Sequence, residues 1–447
     1  MRGGAFLAAA GFAAALLIIS FEPASAGLFS WMKGPQGNQG GDSGSSGGPG
    51  LFGGNGGGLF GGGQRGPQQP GSQAFHGDEL PPEEGNAATQ AWIVNPELGW
   101  PTLSAANIPP TKAAIVQYQS IVAQGGWPTV GSDVVVLHRR LEISGDLVGR
   151  SIPDEYDAAL TEAVKKFQRR HALPPTGAMD AVTIKAMNVP AVVRLGQLQA
   201  GLKQLQHLAP TAPARYVVVN IPAAQVEAVE SGQVAQRHAA VVGKPARPSP
   251  ELTSKIQEIN FNPYWYVPKS IIYKDLVPKA REFTRRGQDF LSAYHMQAFD
   301  AAGNPIDSRQ IDWNGTEVYN YQFRQLPWSE NSLGYIKINF PNKDAVYMHD
   351  TPLKSLFGRA ERFDSSGCVR VHNVDTLAAW ILRDTPGWDI NRIQAMKQTG
   401  EQIDAKLSKP LPVYFTYISA WGLPDGSVQF RPDIYNQDGG DTTASAY

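Results

Sequence analysis

The stretch MHDTPLKSLFGRAERFDSSGCVRVHN, from Met348 to Asn373, holds the only cysteine among 447 residues. A single thiol cannot form an internal disulfide, so Cys368 pairs between chains, sits inert in a core, or does chemistry. Its neighbours favour chemistry. Gly367 permits a sharp, closely approached turn, and Arg370 offers a fixed cation to an anionic substrate or to the thiolate itself. His349, 19 residues upstream, closes an alternating run from Ala345 that reads as a strand ending in a loop at Asp350-Thr351-Pro352. A free thiol, with a pKa of about 8.5, is mostly protonated at neutral pH. His349 is the candidate base that takes its proton, so that the sulfur attacks an amide carbonyl and forms a thioester. Backbone N–H groups around Gly367 and Cys368 are the expected oxyanion donors, and Asp350 or a backbone carbonyl the expected orienter of the imidazole. His372 is a rival base, but it stands just before Asn373 at what reads as a helix entry. The eight histidines show no close ligand spacing and one cysteine cannot build a structural zinc site, so no metal is expected.

Around this stretch the hydrophobic period is two. Tyr216 to Ile221 reads as a buried strand and Gln225 to Val242 as a hairpin about Ser231-Gly232. Further strands are predicted at 256–261, 335–340, 345–349 and 413–421, the last turning at Pro424-Asp425-Gly426 into 427–430. The expectation is a multidomain α+β chain whose mostly β catalytic domain covers residues 215–437. Within it the strand pattern lapses between 270 and 334 into charged helix and loop, an insertion of a size that is usually functional or mobile. The aromatic run from Asn262 to Pro268 reads as core or as the wall of a groove.

Upstream, residues 132–190 read as a small all-α module. Val134, Leu137 and Leu141 share one face, Leu160, Ala163, Val164 and Phe167 recur at helical spacing, and a Pro174-Pro175-Thr176-Gly177 turn leads into a third helix through Ile184 and Met187. Lys165, Lys166, Arg169 and Arg170 are expected on its outer side, as a solvated face or as a weak, salt-sensitive contact with an anionic polymer. Residues 191–214 read as a helical connector. Residues 88–131 read as a scaffold segment, with a helix after Pro109-Pro110 whose apolar face is Ile115, Tyr118 and Val122. Residues 27–87 read as a flexible tether, since 19 of the 47 glycines fall between positions 27 and 75, and 438–447 as a disordered tail. The first 26 residues resemble an export signal, with Arg2, an apolar stretch and an Ala24-Ser25-Ala26 cleavage site; a soluble protein outside the cytoplasmic membrane is expected after cleavage. A formal charge of -1 lacks the basic excess of a nucleic-acid binder.

His349 with Asp350-Thr351-Pro352, and Ser365, Gly367, Cys368, Val369 and Arg370, resemble the signature of the L,D-transpeptidase (YkuD-type) catalytic family. Ser366 stands where many members carry a second histidine. Ala163 to His171, with Leu173, Gly177 and Thr183, is similar to the three-helix peptidoglycan-binding module, and the pair is a feature of the larger, wall-crosslinking members. The resemblance implies a cysteine nucleophile, no cofactor, and a cap formed by the 270–334 insertion. It also implies attack after the L-centre of meso-diaminopimelate in a tetrapeptide stem, release of D-alanine, and transfer of the acyl group to an amine in cell wall biogenesis. Arg370, Ser365 and Ser366 would then meet substrate. Peptidoglycan stems are the expected partner, an amine-bearing protein a further acceptor, and the periplasm or wall the location. An L,D-carboxypeptidase acting on the same stems, an inactive wall-binding protein and a plain cysteine peptidase are the competing readings; the last lacks the Cys-before-His order of papain-like enzymes.

Overall fold

Aspartate side chains cap the starts of three of the N-terminal helices. The computed structural model describes residues 87–149 and 151–438, so the expected export signal, all but the last residue of the tether, and residues 439–447 lie outside the described residues. Helix α1 spans Ala87–Val94 and α2 spans Ile108–Ala123. The helical module follows as α3 (Val134–Ile143), α4 (Ala158–Arg170) and α5 (Ala181–Met187). Asp133, Asp157 and Asp180 each accept backbone N–H bonds from the first turn of the helix they precede, satisfying donors that a helix start leaves open. Leu137, Leu141, Leu160, Ala163, Val164, Phe167 and Met187 close into one buried core, the faces that the spacing implies.

Arg170 departs from expectation. It lies three residues after Phe167, on the core side of α4, and is buried. Its Nε and Nη2 grip the two carboxylate oxygens of buried Asp146 at 2.6 and 2.5 Å. The basic outer side of α4 therefore consists of exposed Lys166 and Arg169 with half-buried Lys165.

Helix α6 (Ala191–Leu208) leads into the strands β1 (Arg215–Asn220), β2 (Gln225–Glu230), β3 (Gln233–Val241) and β4 (Leu252–Phe261). A separate layer then begins with β5 (Trp265–Tyr266) and continues through α7 (Lys269–Ile271), α8 (Val277–Arg285), α9 (Phe290–Ala293), β6 (Met296–Phe299), β7 (Pro305–Ile306) and β8 (Gln322–Gln325). The chain returns as β9 (Ile336–Asn339), β10 (Met348–His349) and β11 (Val369–Val371). After α10 (Val374–Leu382) and α11 (Ile390–Thr399) come β12 (Ile403–Thr416), β13 (Ala420–Gly422) and β14 (Val428–Phe430).

Eight strands close into a barrel in the order β1-β12-β4-β9-β10-β11-β3-β2. Val217, Val219, Ile259, Ile338, Met348, Val369, Val371 and Val413 fill it, and α10 packs Leu377 and Ile381 on the same core. The insertion holds more than the helix and loop that its charge suggests. It forms a four-stranded sheet, β5-β8-β6-β7, over its own core of Trp265, Leu276, Phe290, Trp313 and Phe323. Its layer thus starts at Trp265, ahead of the expected boundary, because the aromatic run pairs with β8 and not with the barrel.

Two expected strands are cut short by asparagines that imitate backbone. Asn342 donates from Nδ2 to Val346 O at 2.8 Å and accepts from Val346 N at 3.0 Å, so the pairing expected from Ala345 begins only at Met348. Asn220 does the same for Ile418, at 3.0 and 3.3 Å, and the run expected over 413–421 splits into β12 and β13. The hairpin β13-β14 then folds onto α2 and α6. An added Cβ at Gly201 of α6 would stand 2.0 Å from Ala420 O, so this contact needs glycine. Docking on two sides turns α2 so that Thr111, Ala114, Tyr118 and Ile121 are buried, while Ile115 and Val122 are only half-buried. Asp438, expected in the tail, is buried and donates its N–H to Asp433 at 3.1 Å.

Replacing Arg170 by Ala leaves the Asp146 carboxylate buried without its cation and is expected to cost about 3–5 kcal/mol in urea unfolding of the full chain. Lys166→Glu on the exposed side should change it by less than about 0.5 kcal/mol. Equal losses for the two would mean that Arg170 is not part of the core.

Candidate active site

Alternation along two short strands assembles the site. Parallel pairing sets Met348 opposite Val369 and His349 opposite Arg370, and antiparallel pairing sets His349 opposite Lys337. Met348 and Val369 point into the barrel core. Residues one position away therefore share the other face, which brings together Lys337, Tyr347, His349, Cys368 and Arg370. The contacts agree. The Tyr347 and His349 rings lie 5.6 Å apart, the Lys337 Nζ sits 4.6 Å from the Tyr347 ring centre, and Val369 N donates to Tyr347 O at 3.0 Å. Tyr347 also packs on the core of the inserted layer, which covers this face.

The imidazole is oriented by backbone. His349 is buried, and its Nδ1 lies 2.5 Å from the Asp350 carbonyl oxygen. A carbonyl only accepts, so the proton resides on Nδ1 and the lone pair on Nε2. The Asp350 carboxylate turns elsewhere, accepting from Lys354 Nζ and, at 3.3 Å, from Tyr335 N. Asp350 is thus an orienting residue through its main chain.

The turn that carries Cys368 is held from beneath. Gly367 has φ +113, a conformation closed to ordinary side chains. Its N–H donates to Ser365 Oγ at 3.2 Å, its carbonyl accepts from Ser249 Oγ at 2.8 Å, and the Ser365 hydroxyl donates to Cys368 O at 2.5 Å. These bonds correct two expectations. The Gly367 N–H is engaged inside the turn and is no oxyanion donor, and the hydroxyl of buried Ser365 shapes the turn instead of facing a substrate. The Cys368 N–H, with no partner among the described residues, is the donor left at the sulfur. Exposed Ser366 accepts from Arg247 Nη1 at 2.9 Å, and the same guanidinium grips Asp275 of the inserted layer at 2.5 and 2.9 Å. A tie from the insertion to the nucleophile turn thus passes through the position of the second family histidine.

Burial favours the neutral forms of both Cys368 and His349. It pushes the half-buried Cys368 thiol up, against contacts from the Tyr347 backbone and side chain and the charges of Lys337 and Arg370, which favour the thiolate. It lowers the His349 imidazole to about 3, aided by the cations Arg370, Lys337 and Lys354 and opposed by the Asp350 carbonyl. Tyr347 is raised well above its ordinary value, again by burial. His372 does not join them. Its ring lies 5.1 Å from Phe357, beyond the strand, and its N–H donates to Ala239 O.

Lys337, Tyr347, Arg247, Asp275 and Ser249 were not singled out by sequence reasoning. Tyr347 was findable, since it sits two residues before His349 on the same strand face. Arg247 and Asp275 meet only through folding and carry no local signal. Among the described residues no group of three or more His, Cys, Asp or Glu converges to hold a metal ion, and no helix is long and apolar enough to cross a membrane.

Residues 214–388 match the family described as the L,D-transpeptidase catalytic domain (YkuD), and residues 130–187 match the family described as "putative peptidoglycan binding domain". A Haemophilus influenzae protein named "putative L,D-transpeptidase" is 32% identical over 223 residues, covering 50% of this chain. The match spans 44% of that relative's length. Among solved structures, an L,D-transpeptidase from Stackebrandtia nassauensis is 14% identical over 67% of this chain and 96% of its own, with TM-score 0.25. The catalytic domain of an E. faecium L,D-transpeptidase acylated by ertapenem is 11% identical over 46% and 98%, with TM-score 0.21.

A base whose folded pKa is depressed stays neutral as pH falls past its free value. The His349 ring should therefore keep its proton on Nδ1 alone from neutrality down to about pH 4 in a nitrogen-detected NMR titration, where a free imidazole would protonate at about 6.5. A midpoint near the free value would contradict the buried geometry.

Proposed function

From a chain that carries an L,D-transpeptidase catalytic domain behind a peptidoglycan-binding domain, we propose a cysteine-dependent acyltransferase that forms peptidoglycan cross-links through a thioester on Cys368. The observation that carries this reading is the strand register that puts thiol, imidazole and two cations on one covered face. His349 Nε2 removes the thiol proton as the sulfur attacks the carbonyl after the L-centre of a tetrapeptide stem. Neutral resting groups favour proton transfer during attack over a preformed thiolate–imidazolium pair. The Cys368 N–H faces the developing oxyanion, and Arg370 and Lys337 favour negative charge at the site. As the tetrahedral species collapses, the C–N bond breaks and the nitrogen of departing D-alanine takes the proton from Nε2. An acceptor amine then attacks the thioester, gives a proton back through Nε2, and the thiol is restored.

The same steps with water as acceptor give an L,D-carboxypeptidase, the second reading. It is supported by the chemistry of the thioester, which does not distinguish amine from water. The protein acts at the wall after export, with the stem peptides as substrate and an amine-bearing protein as a further acceptor.

Incubation with purified disaccharide-tetrapeptide, followed by mass spectrometry, tests the proposal. Cross-linked dimer is expected; tripeptide alone would favour the carboxypeptidase, and no turnover would leave a wall-binding protein. Cys368→Ala should abolish the mass added by a carbapenem, while His349→Ala should slow acylation by about two to four orders of magnitude and His372→Ala should alter it little. The wild-type acylation rate should lack an acid limb at about 6.5, because the base stays neutral well below it. Equal labelling of the Cys368→Ala protein would mean that another residue is the nucleophile.

A further inference from the structure

Outside the thiol site, a cavity of about 750 Å³ lies where the helical module meets the barrel. Trp92 and Trp100 of the scaffold segment, Lys166 and Arg169 of α4, Asp180 at the start of α5, and Glu361 of the loop before the nucleophile turn all line it. We propose that this cleft holds a glycan strand of peptidoglycan, with the sugars on the two indoles and the stem-peptide carboxylates on Lys166 and Arg169. The assignment rests on the peptidoglycan reading above and adds to it the place where the polymer is held.

The chemistry of the lining selects the occupant. The volume lies inside the range of about 300–1,000 Å³ usual for ligand sites. Trp100 is 39% exposed and Trp92 half-buried, so flat apolar faces are open to a partner that is itself part apolar, as the C–H face of a pyranose is. Lys166 and Arg169 stand three residues apart on one face of α4 and present two cations along a line. Arg169 is exposed, and its planar fork suits a carboxylate. The carboxylates of Asp180 and exposed Glu361 can accept hydrogen bonds from hydroxyls and amide N–H groups, and they would repel an anionic backbone with no such donors. An apolar helix would meet charges of both signs in place of a continuous apolar wall.

The cleft also touches the catalytic segment without reaching the sulfur. Glu361 precedes Cys368 by seven residues, and the intervening chain is pinned, since Arg362 donates from Nε to Ala240 O at 3.2 Å and accepts Val242 N on its carbonyl at 3.0 Å. An occupant therefore lies beside the chain that enters the nucleophile turn, at a site the thioester chemistry does not use.

Calorimetric titration of the full chain with soluble glycan strands, with and without their stem peptides, tests this. Strands with stems should bind the wild type, and Trp100→Ala and Arg169→Glu should each weaken them about tenfold. Stripped strands should retain the dependence on Trp100 and lose that on Arg169. Carbapenem acylation of Cys368 and the unfolding midpoint should be unchanged in both variants. Strands that bind both variants as tightly as the wild type, or that fail to bind the wild type because its own N-terminal residues fill the cleft, would overturn the proposal while leaving the thioester reading intact. Loss of acylation and cross-linking in the wild type would instead overturn that reading, whatever the cleft binds.

Discussion

The site depends on the register between two strands of two and three residues. Slipping β10 by one position against β11 would turn His349 into the barrel core and Met348 outward, since side chains alternate strictly along a strand. So short a pairing cannot hold itself, and its surroundings hold it. Asp350 N donates to Ile336 O at 2.8 Å just past the strand, and Asn342 ties off the chain before it. Gly334 lies so close to Asp350 that an added Cβ would stand 2.3 Å from the carboxylate. Register here is set by side chains that stand in for missing ladder bonds.

The turn at Cys368 follows the same logic. Gly367, at φ +113, takes a backbone conformation closed to ordinary side chains, and its neighbours hold it there. Ser249 supplies that support. Its hydroxyl donates to Gly367 O and accepts from Gly243 N, and its own N–H donates to Tyr435 Oη at 3.1 Å. Tyr435 in turn donates to Gly243 O at 2.5 Å. The loop between β3 and β4 and the C-terminal segment thus converge under Cys368 and hold its turn in place.

The helical module and α6 are joined to the segment around the β13-β14 hairpin by buried polar contacts as well as apolar ones. Arg431 donates to Arg170 O at 3.2 Å, and Gln197 of α6 donates to Ser419 Oγ and Arg431 O at 3.2 and 3.0 Å. Phe430 stacks on His171, with ring centres 5.3 Å apart. Burial holds His171 well below its ordinary pKa, so the joint is built around a neutral imidazole. Polar groups buried without partners are costly, and these bonds make one relative placement of module and barrel much better than its alternatives.

What the sequence by itself determined is local. Periods of 3.6 and two marked the module and most barrel strands, Gly and Pro turns marked some of their ends, and one cysteine with an upstream histidine marked the candidate site. Where the reading fell short, a distant group had replaced a local one. Asn220 and Asn342 ended strands that alternation extends, Asp146 drew Arg170 into the core, and Ser365 took the N–H expected to face an oxyanion. The fold of the insertion was hidden because its charges mark only an outer surface, whereas its core forms from aromatic residues spread from Trp265 to Phe323. Tertiary structure alone decided that Asp350 orients His349 through its carbonyl, that Arg247 links Asp275 to Ser366, and that both reacting groups rest neutral. Each of these depends on burial and on partners far apart in the chain, and periodicity records neither.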